Sequence, residues 1–116
     1  IGQCLTGGYV IQMAKRDDML APVIYHHSLG REGAGVPENE SLDDIRILQG
    51  HWSSVDPYCP AKRRNQLIEQ LGDRVEAYIY NMPNGFRSLS RGLPDSKLVW
   101  QRTVDFFERE LKQNVA

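Results

Sequence analysis

The stretch that decides the fold is Gly2-Gln3-Cys4-Leu5-Thr6-Gly7-Gly8, which stands immediately before a helical pattern. A cysteine between glycines favours a tight strand-to-helix turn, because glycine accepts close backbone approaches that other residues do not. A thiol at the start of a helix gains from the unpaired backbone N–H groups there, which favour the thiolate. Two other interpretations are a buried structural cysteine beside turn glycines and a phosphate-binding loop. The second is disfavoured, because no Lys-Ser/Thr pair follows and no Gly-x-Gly-x-x-Gly motif is present.

Outward from this stretch, short β-rich runs alternate with longer helical patterns, and this alternation predicts an α/β fold. Strands are predicted at Pro22–His26, at Ile45–Leu48 with Gly50 closing it, and at Val75–Tyr80. The strands are short and apolar, as expected for a mainly parallel sheet that is covered on both faces. Ligands bind such sheets beyond the carboxyl ends of the strands. Residues 28–42 lack periodicity and are predicted to form a long loop.

Three helices are expected around this sheet. The first follows Gly7-Gly8, and its apolar face is predicted to comprise Tyr9, Val10, Met13 and Ala14. The second begins near Pro60 and ends at Gly72, since proline is favoured in the first turn and glycine just past the end. The last begins near Ser96, and an apolar stripe of Trp100, Val104, Phe107 and Leu111 is predicted to pack on the sheet.

Composition excludes several classes of function. The chain has 116 residues, 14 basic and 15 acidic side chains and a formal net charge of -1, which gives no general attraction to nucleic acid or anionic lipid. Its apolar runs are too short to span a bilayer. Two cysteines form no disulfide framework, and a reducing, cytoplasmic setting is therefore predicted. No cofactor is expected, and His26, His27 and His51 have no metal-ligand spacing, so no metal is expected either.

The stretch at residues 2–8 resembles the nucleophile elbow of the dienelactone hydrolase family, the cysteine-using members of the α/β-hydrolase superfamily. Further similarities follow in the order of that family. Leu48-Gln49-Gly50 and residues 54–60 resemble the strand and the loop that deliver the acid of the triad. Val75–Tyr80 and residues 82–86 resemble the last strand and the histidine loop, and residues 100–111 resemble the closing helix. The likeness covers nearly all of the chain, but only the C-terminal half of the family's usual domain. It therefore implies a single partial α/β-hydrolase-type domain over residues 1–116.

The resemblance implies hydrolysis of an ester or lactone, with Cys4 as the nucleophile, Asp56 as the orienting acid and the Leu5 backbone N–H as one oxyanion donor. The histidine of the triad is replaced by Asn84. A carboxamide cannot accept and return a proton near neutral pH, so the resemblance predicts an impaired hydrolase. The alternatives are a catalytically inactive homologue that acts as a ligand-binding or oligomeric interaction module, and an unrelated flavodoxin-like domain that binds phosphate or flavin at Gly7-Gly8.

Other side chains have open roles at this stage. Arg87 is a candidate for binding a substrate carboxylate, and Trp52 either lines the mouth of a pocket or packs beneath a loop. His51 is predicted to lie in a strand-end loop, where it is the one attractive substitute base. Cys59 is interpreted as a small semi-buried side chain, with a disulfide to Cys4 left open. The sheet edge beside Gly2 is expected to be covered by a missing N-terminal half or by another copy of the chain.

Overall fold

Four parallel strands form one sheet in the order β1-β2-β3-β4. The structure is a computed structural model and describes residues 1–27, 41–55, 59–83 and 96–113. In chain order the elements are β1 (Gly2–Cys4), α1 (Leu5–Met13), β2 (Val23–His27), β3 (Leu48–Val55), α2 (Ala61–Leu71), a 3-10 turn (Gly72–Arg74), β4 (Val75–Pro83) and α3 (Ser96–Gln113). The predicted α/β class is confirmed, and β1 adds a strand to the three that were predicted.

The two faces of the sheet are covered by different helices. Helices α1 and α2 pack on one face, in a core that includes Ile11, Leu71 and the strand residues Ile24 and Leu48. Helix α3 packs on the other face, in a cluster formed by Val23, Tyr25, Tyr80, Val99 and Phe106. Neighbouring residues of β2 therefore belong to opposite cores, because successive side chains of a strand point to opposite faces.

Strand β3 differs from its prediction. The prediction placed this strand at Ile45–Leu48 and ended it at Gly50, whereas β3 spans Leu48–Val55: it begins at the last predicted residue and continues through this glycine. The reason is steric: a Cβ atom at Gly50 would overlap the indole ring of Trp52. Glycine here permits a close approach by a large side chain and does not end the strand. His51 consequently lies inside β3, fully buried, and the prediction that it lies in a strand-end loop is wrong.

Helix α2 has the ends that the sequence predicts. Pro60 precedes its first residue, and Gly72 follows its last residue with a φ of 59°. The N–H of Gly72 donates to the carbonyl of Ile68, as expected at a glycine that ends a helix.

Helix α3 buries a face that is rotated by one residue from the predicted stripe. Trp100 is 56% exposed and Leu111 is 42% exposed, while Val104 and Phe107 are half-buried. The buried residues of α3 are Val99, Thr103, Phe106 and Glu110. The prediction fails in part because the α3 face of the sheet is partly polar: the hydroxyls of Tyr25 and Thr103 form a buried hydrogen bond of 2.8 Å, which apolar periodicity does not reveal. Phe107 of the predicted stripe does pack against the apolar cluster on this face.

Helix α1 is also rotated from its predicted orientation. Val10, Ile11 and Ala14 are buried, whereas Tyr9 and Met13 are about half exposed. Because this helix is apolar around much of its circumference, periodicity alone does not define its buried side. Among the described residues, no helix is both long and apolar enough to cross a membrane.

One arginine fastens the segment before β3 to the end of α2. The guanidinium of Arg74 donates to the carbonyl oxygens of Leu42, Ile45 and Asp43 at 2.9, 2.7 and 3.3 Å. It also donates to the carbonyls of Gln70 and Leu71 at 3.2 Å. Leu42 and Ile45 are buried although they lie outside any strand, and Arg74 donates to both of their carbonyls, while the Leu42 carbonyl also accepts from the Ile45 N–H.

Replacing Arg74 by Ala should lower the free energy of unfolding by about 2–3 kcal/mol, because several part-buried carbonyls lose their donors together. Arg74→Lys should recover less than half of this loss, since an ammonium group lacks the fork that reaches both segments. Arg46→Ala is the matched control, because Arg46 donates to the single carbonyl of Leu20. Urea unfolding measures all three variants, and equal losses in Arg74→Ala and Arg46→Ala would contradict this role for Arg74.

Candidate active site

The carboxyl ends of all four strands meet at one edge of the sheet, because the strands are parallel. Strand β1 ends at Cys4 and β2 ends at His27. Strand β3 ends at Val55 and β4 ends at Pro83. Two sites predicted from the sequence, Asp56 and Asn84, follow these last two ends directly in the chain, but they lie outside the described residues, as does Arg87.

The chain bends sharply at Cys4. This residue is the last of β1, and the next residue, Leu5, is the first of α1, so no loop separates strand from helix. The backbone N–H groups of the first helical turn have no partners within the helix, and they concentrate positive partial charge beside Cys4. A strand-to-helix turn at Cys4 was predicted from the flanking glycines, and this bend has that form.

Two glycines make the bend possible. A Cβ atom at Gly2 would overlap the carbonyl oxygen of Thr6, and one at Gly7 would overlap the carbonyl oxygen of His26. The obstacles are backbone atoms, which cannot move aside as the end of a flexible side chain can. Gly2 thus lets strand β1 meet the first turn of α1, and Gly7 lets that turn rest on the end of β2.

The end of β2 is irregular where α1 rests on it. Gln3 pairs with Tyr25 and Cys4 pairs with His27, so the ladder skips His26. His26 has a φ of 44°, in the left-handed region that residues other than glycine rarely adopt. The extra residue changes the side to which the strand end points, and His27 therefore contacts Trp52 of the α1 and α2 core.

His27 is the residue that pairs with Cys4, and it is held as a neutral imidazole. Its Nδ1 accepts a hydrogen bond of 3.3 Å from the indole N–H of Trp52, and the thiol of Cys59 lies 3.9 Å from the same nitrogen. Accepting at Nδ1 places the ring proton on Nε2. Burial, together with nearby positive charge from Arg63, lowers the pKa of His27 to about 4.

His51 belongs to a buried hydrogen-bond chain under α3. Its Nδ1 lies 2.8 Å from the hydroxyl of Tyr80, and its Nε2 lies 2.7 Å from Oε1 of Gln49. The side-chain nitrogen of Gln49 donates to Glu76 at 2.6 Å and to the backbone carbonyl of Arg102 at 3.1 Å. Arg102 in turn donates to the Tyr80 hydroxyl at 3.2 Å.

These contacts fix which atom donates in each hydrogen bond between Arg102, Tyr80, His51 and Gln49. Because the Gln49 nitrogen faces two acceptors, its oxygen must accept from Nε2–H of His51. The Nδ1 atom of His51 must then accept from Tyr80, whose oxygen accepts from Arg102. Burial, with a smaller contribution from the charge of Arg102, lowers the pKa of His51 to about 4. His51 is a neutral ring with hydrogen-bond partners at both nitrogens. It is therefore poorly suited to act as the substitute base that the sequence suggested.

The remaining residues singled out from the sequence have packing contacts. Trp52 is 1% exposed and its ring meets His27 edge to face, with centroids 6.2 Å apart. Cys59 is 2% exposed, more buried than predicted. Within the described parts of the chain, no three His, Cys, Asp or Glu side chains are grouped so that they could hold a metal ion.

Sequence reasoning missed the polar chain beneath α3, although a signal for it exists. Gln49, His51 and Ser53 occupy alternate positions of β3, and all three are buried. Glu76, Tyr78 and Tyr80 alternate in the same way along β4. Residues that recur with a period of two along a strand lie on one face of the sheet. This period in β3 and β4 is the signal for a polar face, which is the face that α3 covers.

Comparison of the chain with models of known protein families, with curated proteins and with solved structures finds no match.

The two histidines of low pKa should make the fold sensitive to acid. Histidines in the unfolded chain have a pKa of about 6.5. Between that pH and the lower pKa of the folded state, the unfolded chain therefore binds protons that the folded chain does not bind. Stability should be full above pH 6.5 and should fall until the pH approaches 4, by up to about 1.4 kcal/mol per pH unit for each histidine.

Urea unfolding at a series of pH values measures how the free energy of unfolding changes with pH. His51→Asn should remove about half of this pH dependence, even if the variant is less stable than the wild type at every pH. Equal stability at pH 6.5 and pH 4.5 would contradict the buried neutral state of both rings.

Proposed function

We propose that this chain carries the nucleophile of a dienelactone-hydrolase-like enzyme, which cleaves ester or lactone bonds through Cys4 and turns over slowly because Asn84 replaces the histidine of the triad. The observation that supports this proposal best is the bend at Cys4. A strand that passes directly into a helix, crowded at Gly2 and Gly7 and opening on the carboxyl edge of a parallel sheet, is the arrangement that raises a nucleophile above a sheet.

The proposed first step is acylation of Cys4. The thiolate attacks the carbonyl carbon, and the developing oxyanion is stabilised by backbone N–H groups at the start of α1, that of Leu5 first. Collapse of the tetrahedral intermediate breaks the carbon–oxygen bond of the ester and leaves a thioester on Cys4. The departing alkoxide takes a proton from water, so leaving groups of low basicity should react best.

The second step, hydrolysis of the thioester, should be slow. It needs a base to take a proton from the attacking water, and Asn84 cannot serve as one. His27 and His51 do not supply it either, since each has a pKa of about 4 and a hydrogen-bond partner at Nδ1. The proposal therefore requires fast acylation by an activated ester and slow release.

Mixing the protein with p-nitrophenyl acetate should give a burst of p-nitrophenolate of about one equivalent, followed by slow turnover. Mass spectrometry of the quenched protein should find the acetyl group on the peptide that contains Cys4. Cys4→Ala should abolish the burst, whereas Cys59→Ala is the matched control and should retain it. Asn84→His should raise the steady rate by roughly tenfold or more while changing the burst rate little, because general base catalysis is typically worth 10²–10⁴-fold.

The alternative, an inactive homologue that binds a ligand or a partner, predicts a different set of results. In that case the wild-type protein gives no burst and no adduct, and Asn84→His changes nothing. An adduct on Cys59 or on a lysine with none on Cys4 would also overturn the proposal.

A further inference from the structure

The side chain of Thr6 bridges the two backbone groups of Gln3. The N–H of Gln3 donates to Oγ1 of Thr6 at 2.8 Å, and the same hydroxyl donates to the carbonyl oxygen of Gln3 at 2.8 Å. Gln3 is the residue before Cys4, and Thr6 is the residue after Leu5. A single hydroxyl thus closes a ring around the two residues at the tip of the bend.

Thr6 also meets strand β1 through its backbone. The Cα of Gly2 packs so closely on the Thr6 carbonyl that no Cβ fits between them. Thr6 therefore contacts β1 in two ways: its hydroxyl hydrogen-bonds to Gln3, and its backbone carbonyl packs against Gly2. A β-branched residue suits this position, because its χ1 angle is stiff and keeps the hydroxyl in place.

We infer that Thr6 is a positioning residue, whose hydroxyl holds the Cys4–Leu5 backbone in the geometry needed for attack and for oxyanion binding. This inference rests on the proposed function for its consequence in catalysis, but the bridge itself is a property of the bend. Thr6 is exposed, and the variants at this position therefore leave no cavity in the core.

The same bridge bears on the edge of the sheet. Strand β1 lies at the end of the strand order, and Gln3 is its middle residue. Since the Thr6 hydroxyl already satisfies both the N–H and the carbonyl of Gln3, an added strand would have to displace it.

The test compares Thr6→Val, which keeps the β-branched shape and removes the hydroxyl, with Thr6→Ser, which keeps the hydroxyl. With p-nitrophenyl acetate, Thr6→Val removes both hydrogen bonds to Gln3 and should slow acylation of Cys4 by roughly fivefold to tenfold, while KM changes little. Thr6→Ser should stay within about twofold of the wild type. Thr6→Ala provides a second hydroxyl-free variant if Thr6→Val folds poorly.

Amide hydrogen exchange provides a readout that does not depend on catalysis. In the wild-type protein the Gln3 amide should exchange slowly, and Thr6→Val should speed its exchange while amides in β3 keep their protection. Rapid exchange at Gln3 in the wild type would overturn the inference. Acylation at the wild-type rate in folded Thr6→Val and Thr6→Ala would overturn it as well.

Failure of the proposed function can be told apart from failure of this inference. If the wild type forms no acyl adduct, the rate of Cys4 alkylation by iodoacetamide replaces the acylation rate. A slower alkylation in Thr6→Val that Thr6→Ser restores would then support the positioning role without hydrolysis. Equal alkylation rates in all three proteins would overturn it.

Discussion

The close approach between the first turn of α1 and the end of β2 is the contact on which the candidate site depends. Gly7 rests on the carbonyl of His26, a residue forced into the left-handed region at a bulge in the strand. Strain of this kind costs of order 1–3 kcal/mol and persists only where the surrounding structure enforces it. Here the surrounding structure is the parallel pairing of β1 with β2 on one side and the packed face of α1 on the other. This contact seats the first turn of α1 on the end of β2.

The opposite face of the sheet has a different role. There a directed chain of hydrogen bonds from Arg102 to Glu76 passes through Tyr80, His51 and Gln49, and it sets the rotation of α3. A buried polar chain of this kind is favourable only when every member has a partner, so it specifies one position of the helix more strictly than an apolar surface does. The cost is sensitivity to protonation, because a charged His51 would be buried and would lie near the positive charge of Arg102.

The sequence predicts the fold class, the ends of α2 and the turn at Cys4, because glycine and proline act locally and their effects can be read without tertiary context. It does not predict which side of α3 or α1 is buried. The stripe through Trp100 and Leu111 is the more apolar one, yet Thr103 and Glu110 are buried in its place, since this face of the sheet also carries buried polar side chains. The extent of β3 was missed for a similar reason: Gly50 accommodates Trp52, a contact between residues two apart on one face that composition does not signal. Of the candidate site, Cys4 and its glycines follow from the sequence, whereas the bulge at His26 and the Thr6 bridge depend on how two strands and a helix fit together.

The central proposal is that the start of α1, which follows Cys4 directly in the chain, favours the thiolate form of this residue. The most direct measurement is the ultraviolet absorbance of the thiolate as a function of pH, made on the Cys59→Ala protein so that Cys4 is the one thiol observed. The account predicts a titration midpoint at least one pH unit below that of an ordinary cysteine, about 8.5, and loss of this shift on unfolding in urea. A midpoint at or above 8.5 in the folded protein would contradict the claim.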